Sequence, residues 1–223
     1  MTDDIPGVLA ALESERRTGL LRVGDDGAFR VENGAVVHAE SRHAPGLDDL
    51  SGSDPSGSDL PALLAMFDAA YFLLGSTAGP VFTEGPPHGA DQRISVATLV
   101  RERDRRRARL DAAWPDDRVD VEPVVPVRRV RRQRVILTGV QTEILINADG
   151  RRTPAELARH LGRTAFACLL AVRGLAAASL IHTVPRPASG PPPPRPAIPA
   201  EWAPPDHELL DRLRTALVEL GPC

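Results

Sequence analysis

The chain has 223 residues, few aromatic side chains and a net charge of −3. All 27 of its basic residues are arginine, which favours a GC-rich, actinobacterial-like bacterial genome. The charge is uneven, because residues 1–92 carry 15 acids and 5 arginines, whereas residues 93–134 carry 13 arginines and 7 acids. Its cysteine spacing, its N-terminus without a basic region and its short apolar runs exclude a disulfide framework, a secretory signal and a membrane span. We therefore predict a soluble cytoplasmic protein.

The first predicted element is a helix over residues 4–17, with Asp4 as its N-cap. Its apolar residues share one face: Ile5, Val8, Leu9 and Leu12. Gly19 is expected to end the helix in a left-handed conformation. Residues 20–40, LLRVGDDGAFRVENGAVVHAE, predict three short strands, because Asn-Gly between apolar segments favours a tight hairpin. The predicted inward residues are Leu20, Phe29, Val31 and Val37.

This order of elements resembles the PatA N-terminal (PATAN) domain, a family of unknown function in bacterial regulators and gliding-related proteins. The similar residues are TGLLRV at 18–23, the Asn-Gly hairpin and VVHA at 36–39, and the resemblance covers residues 4–84. It implies helices over residues 47–50 and 60–69 and a strand over residues 70–74. A polar insertion, SGSDPSGSD at 51–59, departs from the pattern. The resemblance implies a protein–protein interaction module and brings no catalytic residues.

The middle of the chain predicts further helices. Residues 94–113 form a predicted helix that contains RERDRRRAR at 101–109, and residues 115–127 are predicted to be a linker or an extended segment. Three helices are predicted over residues 138–147, 154–160 and 164–178, followed by a strand over residues 180–184. Thr138 is a candidate cap for the first of these helices. TPAE at 153–156 is a capping box for the second, and Gly162 is its stop.

This helical order is typical of a helix-turn-helix with a wing. DGRRTPAELARHLG at 149–162 is also similar to winged-helix-like domains that follow PATAN domains in bacteria. We therefore predict an α+β fold in four parts. These are a small helix-plus-antiparallel-sheet domain (1–92), an Arg-rich helix and linker (93–127), a winged-helix-like domain (128–184), and a Pro-rich, disordered tail (185–223) with an amphipathic helix at 206–220.

The motifs favour a binding protein over an enzyme. The chain has no Walker A lysine, Gly-x-Gly-x-x-Gly loop or His-Glu-x-x-His sequence. His38 and His43 lie close in sequence but lack a third ligand, so a strand histidine and a loop histidine are preferred to a zinc site. Cys168 lies on an apolar helix face and is predicted to be a buried side chain rather than a nucleophile. We predict no catalytic residue, no metal and no cofactor.

The leading hypothesis is a non-enzymatic signalling adaptor or regulator that acts by protein–protein contact. The candidate contact residues lie near the hairpin and along the last helix: Arg30, Glu32, His38, Glu40, Leu209, Leu213, Leu217 and Leu220. The last helix could dock on its own chain or supply a helix to a partner, and the long spacer favours the second. The partner and the oligomeric state stay open.

The alternative is a winged-helix, DNA-binding transcriptional regulator, since guanidinium groups bind phosphates well. Its candidate phosphate contacts are Arg128, Arg129, Arg131, Arg132, Arg134, Arg151, Arg152, Arg159 and Arg163. The first turn of the predicted recognition helix, TAFAC at 164–168, offers few side chains that read bases. A solvated helix face and a charged linker that touches the acidic N-terminal domain are the preferred explanation of the arginines.

Overall fold

The computed structural model describes residues 4–50, 59–87, 89, 92–128 and 135–182. Met1–Thr183 form one compact unit. A second unit, Val184–Cys223, lies outside the described residues, and the predicted spacer and last helix lie there. The described elements combine helices with a four-stranded antiparallel sheet, which confirms the predicted α+β class. Of the helices in these ranges, none is both long and apolar enough to cross a lipid bilayer.

The chain begins with helix α1 (Ile5–Ser14), followed by strands β1 (Gly19–Val23), β2 (Gly27–Glu32) and β3 (Ala35–Ser41). The predicted apolar face of α1 is confirmed, since Ile5, Leu9 and Leu12 are buried. The predicted hairpin is also confirmed. Asn33 and Gly34 have φ values of 48° and 84°, the left-handed conformations that a tight turn of this kind requires.

The predicted role of Gly19 as a helix stop was wrong. Arg16 takes the left-handed conformation after α1, with a φ of 52°, and Gly19 is the first residue of β1. Gly19 lies against the backbone of Thr83, so a Cβ atom at this position would collide with the neighbouring strand. The glycine is therefore required by close strand packing and not by the end of the helix.

The predicted inward position of Leu20 was also wrong. Leu20 is half-buried, whereas Leu21 and Val23 are fully buried. Because residues 20 and 21 are both leucine, the sequence does not show which of them points into the core. A shift of one residue exchanges the two faces of the strand. The other predicted inward residues of the sheet, Phe29, Val31 and Val37, are buried.

The next elements are α2 (Leu47–Leu50), α3 (Leu60–Leu73) and β4 (Pro80–Glu84). The predicted strand over residues 70–74 was wrong, because α3 continues through this stretch. Its residues are uniformly apolar, and such a run does not distinguish a buried helix from a buried strand. The fourth strand is β4, which pairs with β1 and gives the sheet order β3-β2-β1-β4. Residues 51–58 of the polar insertion lie outside the described residues.

The helical part contains α4 (Val96–Ala113), a 3₁₀ helix η1 (Asp117–Asp120), α5 (Gly139–Asn147), α6 (Pro154–Leu161) and α7 (Ala165–Ala177). Thr138 and Thr153 both form capping boxes, and Gly162 ends α6 with a φ of 62°. These three local predictions are confirmed. They depend on residue types at fixed offsets along the chain.

Two segments differ from their predicted conformation. The expected linker at 115–127 contains η1, and its Val119 and Val124 are buried. The expected strand at 180–184 is represented in the described residues by a single antiparallel bridge between Ile181 and Pro126. Residues 183 and 184 of the expected strand lie outside the described residues. In both segments the apolar residues find their partners only in the folded chain, so the sequence pattern did not show how they pair.

The buried apolar residues form two clusters. The first lies between the sheet, α1, α3 and the start of α4. The second lies between η1, α5, α6 and α7. Ala165, the first residue of α7, belongs to the first cluster although the rest of its helix packs in the second. The N-terminus of α7 is therefore where the two clusters meet.

Candidate functional site

Three of the predicted contact residues, Arg30, His38 and Glu40, lie together on the outer face of the sheet. Arg30 lies opposite His38 in the pairing of β2 with β3, and Glu40 lies opposite Ala28. His38 and Glu40 are exposed and Arg30 is half-buried. Arg22, exposed on β1, lies beside Val81 of the edge strand β4, whose exposed fraction is 63%. The face presents both charges and an apolar side chain at its edge.

Glu32 does not belong to this surface, although the sequence predicted it there. Its exposed fraction is 1%, because the chain before α4 runs along β3 and covers it. Arg93 lies in that covering segment, with Nη2 3.9 Å from the Glu32 Oε2 atom. The neighbouring turn is also anchored, since the Asn33 N–H donates to the Thr18 Oγ1 atom. Glu32 and the hairpin tip therefore belong to the packed structure.

A buried ion pair lies where the two clusters meet. The Asp68 carboxylate of α3 accepts a hydrogen bond from Arg106 Nη1 of α4 at 2.7 Å, and their side chains are 0% and 7% exposed. The second oxygen of Asp68 accepts the backbone N–H of Ala165. Burial raises the pKa of Asp68 above its usual value, although Arg106 and the α7 amides act in the opposite direction. A negative charge at a helix N-terminus is also favourable for the helix dipole.

Phe166 completes this junction from the α7 side. Its ring lies 4.8 Å from the Arg106 guanidinium carbon and 5.8 Å from that of Arg109. Arginines stack well on aromatic faces, and such contacts are stronger where water is displaced. The first turn of α7 is consequently packed on α3 and α4. In a helix-turn-helix protein this is the part of the recognition helix that contacts base edges.

Further along α7, Arg173 forms a second buried network, with a side chain that is 3% exposed. Its Nε and Nη2 atoms bind both carboxylate oxygens of Asp120 at 2.9 and 2.6 Å. Its Nη1 atom binds Asp111 at 3.0 Å and the Trp114 carbonyl at 2.6 Å. Arg173 thus fixes η1 and the end of α4 to α7.

Several arginines predicted to contact phosphates make contacts within the protein. Arg159 donates to the carbonyls of Arg42 and Ala44, which attaches α6 to the loop after β3. Arg163 binds both oxygens of Glu143 at 3.0 and 2.8 Å.

The remaining candidate phosphate contacts differ in their exposure. Arg152 is half-buried and donates to the Asn147 carbonyl, whereas Arg128 and Arg151 are exposed. The others lie outside the described residues: Arg129, Arg131, Arg132 and Arg134. So do the leucines of the predicted last helix: Leu209, Leu213, Leu217 and Leu220.

The surroundings of Cys168 and His43 are those of structural side chains. Cys168 is completely buried, as predicted, and burial raises its pKa to about 12. His43 Nε2 lies 3.2 Å from the Asp26 carboxylate. The pKa of Asp26 is lowered mainly by a hydrogen bond from the Ser76 hydroxyl. Within the described ranges no group of three or more histidine, cysteine, aspartate or glutamate residues could hold a metal ion.

Sequence reasoning missed the residues that organise this region, namely Asp68, Arg106 and Arg173. Two of them carried a signal. Asp68 is a lone acid in the apolar run LLAMFDAAYFLL, and Arg173 is a lone base in the apolar helix α7. A single charge in an otherwise buried element needs a partner, so both could have been singled out. Arg106 carried no such signal, because it lies within a run of arginines.

Comparison of the chain with family models, with curated proteins and with solved structures found no match in any of the three.

Proposed function

We propose that this protein is a non-enzymatic signalling adaptor or regulator that acts through protein–protein contact. The observation that carries the proposal is the burial of the first turn of α7 against α3 and α4. That contact occupies the helix end from which a helix-turn-helix protein would read bases, so it favours a partner other than a specific DNA sequence. The PATAN resemblance supports the same conclusion from the sequence.

The outer face of the sheet is the proposed contact surface. Arg22, His38 and Glu40 supply charged and polar contacts, and Val81 adds an exposed apolar side chain at the edge. Charge complementarity across an interface gives a protein–protein contact its specificity. The face is built on paired strands, so the backbone that carries these side chains is held in place without a partner.

Site-specific photo-crosslinking in cells of the source organism tests this surface. A photoreactive residue in place of His38 is expected to give a discrete protein adduct. The same residue in place of His160, which is exposed on α6, is the matched control and should give none. Arg22→Glu should weaken the adduct at position 38. Equal labelling at both positions, or no discrete adduct at position 38, would contradict the proposal.

DNA binding is the second candidate, favoured by the exposed Arg128 and Arg151 and by the exposed arginines of α4: Arg101, Arg105, Arg107 and Arg109. Phosphate contacts of this kind give sequence-independent affinity that falls steeply with salt. Fluorescence anisotropy with a labelled duplex at low and moderate salt measures it. Binding that weakens with salt and with Arg151→Glu would favour this function, and no change in anisotropy at low salt would exclude it.

A further inference from the structure

A cavity of about 420 Å³ lies beside the Arg173 network, between the end of α3, the middle of α4, η1 and α7. Small-molecule sites commonly have volumes of roughly 300–1,000 Å³ and often lie where two packed regions meet. This cavity fits both descriptions, because α3 belongs to the first apolar cluster and η1 and α7 to the second. Its lining is unusually rich in charged side chains.

Two arginines on one side of the cavity can bind an anion. Arg103 and Arg107 are four residues apart on α4 and therefore lie on the same face of the helix. Arg103 donates one N–H to the Leu74 carbonyl at 3.1 Å, which positions its guanidinium group. Arg107 approaches Asp111 only to 3.9 Å, outside hydrogen-bond distance, and its side chain is 64% exposed. Both groups keep donors that a phosphate could use.

The aspartates of the lining do not neutralise the positive charge of the cavity. Arg173 binds both Asp111 and Asp120, so its single positive charge offsets one of these two carboxylates. The lining as a whole holds four arginines and three aspartates, a formal excess of one positive charge. Asp117 is exposed at the mouth of the cavity and is the remaining acidic group of the lining. A carboxylate at this position can accept hydrogen bonds from hydroxyl or amino groups of a ligand. The cavity therefore offers an anion-binding side and a separate acceptor.

The wall formed by α3 is aromatic. Tyr71 and Phe72 both line the cavity, with their rings edge to face at a centroid distance of 5.4 Å. Burial raises the pKa of the Tyr71 hydroxyl, so this group stays protonated at neutral pH. A planar ring can pack against such a wall, and base–aromatic stacking contributes about 1–3 kcal/mol where it has been tested by substitution.

We propose that this cavity binds a mononucleotide, with its phosphate on Arg103 and Arg107 and its base against Tyr71. The ribose hydroxyls or an amino group of the base would donate to Asp117. The combination of a cationic pair, an aromatic wall and a carboxylate matches the three chemical parts of this ligand. The inference is independent of the adaptor function, since a regulator with or without a protein partner could bind a nucleotide here.

Isothermal titration calorimetry on the full chain tests the proposal, with AMP, GMP, CMP and UMP as probes. At least one is expected to bind saturably, and adenosine and inorganic phosphate are each expected to bind at least about tenfold more weakly. Arg107→Glu should weaken nucleotide binding at least about tenfold, because it replaces an attractive charge by a repulsive one. Arg101→Glu makes the same charge change on α4 outside this cavity and should change affinity by less than about twofold.

Tyr71→Leu provides a second test, because it removes the aromatic ring but keeps an apolar side chain on α3. Loss of base stacking should weaken nucleotide binding by about fivefold or more. The proposal is overturned if no mononucleotide binds at about 1 mM. It is also overturned if Arg101→Glu weakens binding as much as Arg107→Glu, or if inorganic phosphate binds as tightly as the best nucleotide.

Discussion

At the scale of single residues, Asp68 is a buried side chain that connects the two apolar clusters. It joins three helices, since it lies on α3, pairs with Arg106 of α4 and accepts the first backbone N–H of α7. A buried pair of this kind costs desolvation energy, so its net contribution to stability is small. Its geometry is nevertheless specific, because each donor has one acceptor atom. The pair therefore fixes how the helices are arranged.

We expect Asp68→Ala to lower the free energy of unfolding by about 2–3 kcal/mol, because it leaves the Ala165 N–H and one Arg106 N–H buried without an acceptor. The charge of Arg106 itself stays paired with Glu102 of the same helix. Glu84→Gln is the matched control at an exposed pair. Glu84 is 71% exposed and pairs with Arg17, so its loss should cost about 1 kcal/mol or less. Urea denaturation followed by circular dichroism measures both values. Similar losses for the two variants would show that the buried pair has no special role.

At the scale of elements, the helix starts differ in how well they are capped. Thr153 accepts the N–H of Glu156, and the Glu156 carboxylate accepts the N–H of Thr153 in return. Helix α1 begins at a candidate cap of the right type, but the Asp4 side chain makes no capping hydrogen bond. The same kind of sequence signal therefore corresponds to a real cap in α6 and to none in α1.

This difference predicts the effect of two matched substitutions. Thr153→Ala should destabilise the protein by about 1 kcal/mol, within the usual range of about 0.5–2 kcal/mol for an N-cap. Asp4→Ala should change stability by no more than a few tenths, since no side-chain cap is lost. Urea midpoints with unchanged slopes would report both effects. A larger loss for Asp4→Ala than for Thr153→Ala would contradict the assignment of the caps.

At the scale of the whole described unit, the two apolar clusters are linked through the N-terminus of α7. Ala165 packs in the first cluster, and Arg159 of α6 donates to carbonyls after β3. These contacts join the sheet to the helices by buried and partly buried groups. Regions joined in this way are expected to unfold together and not one at a time.

Native-state hydrogen exchange in increasing urea tests this coupling. In the wild type, the amides of β2 and of α7 should lose protection over the same range of urea concentration. In Asp68→Ala the two ranges should move apart, because one buried link between the clusters is lost while each core and the Arg159 contact stay in place. Two separate transitions in the wild type would show instead that the clusters are independent.

The local signals in the sequence determined much of the fold. The hairpin at Asn33, the capping box at Thr153 and the stop at Gly162 depend on residue types at fixed offsets, and the structure contains all three. The α+β class followed from the order of these elements. The sequence also determined that Cys168 is buried, because it lies in a helix that is apolar over nearly all of its surface.

Only the tertiary structure decided the strand phase at Leu20, the helical conformation of residues 70–73 and the burial of Glu32. It alone also paired Asp68 with Arg106 and placed the start of α7 beneath α3 and α4. The physical reason is the same in each case. Caps and turns are satisfied by neighbours in sequence, whereas burial and ion pairing depend on partners that lie far away along the chain.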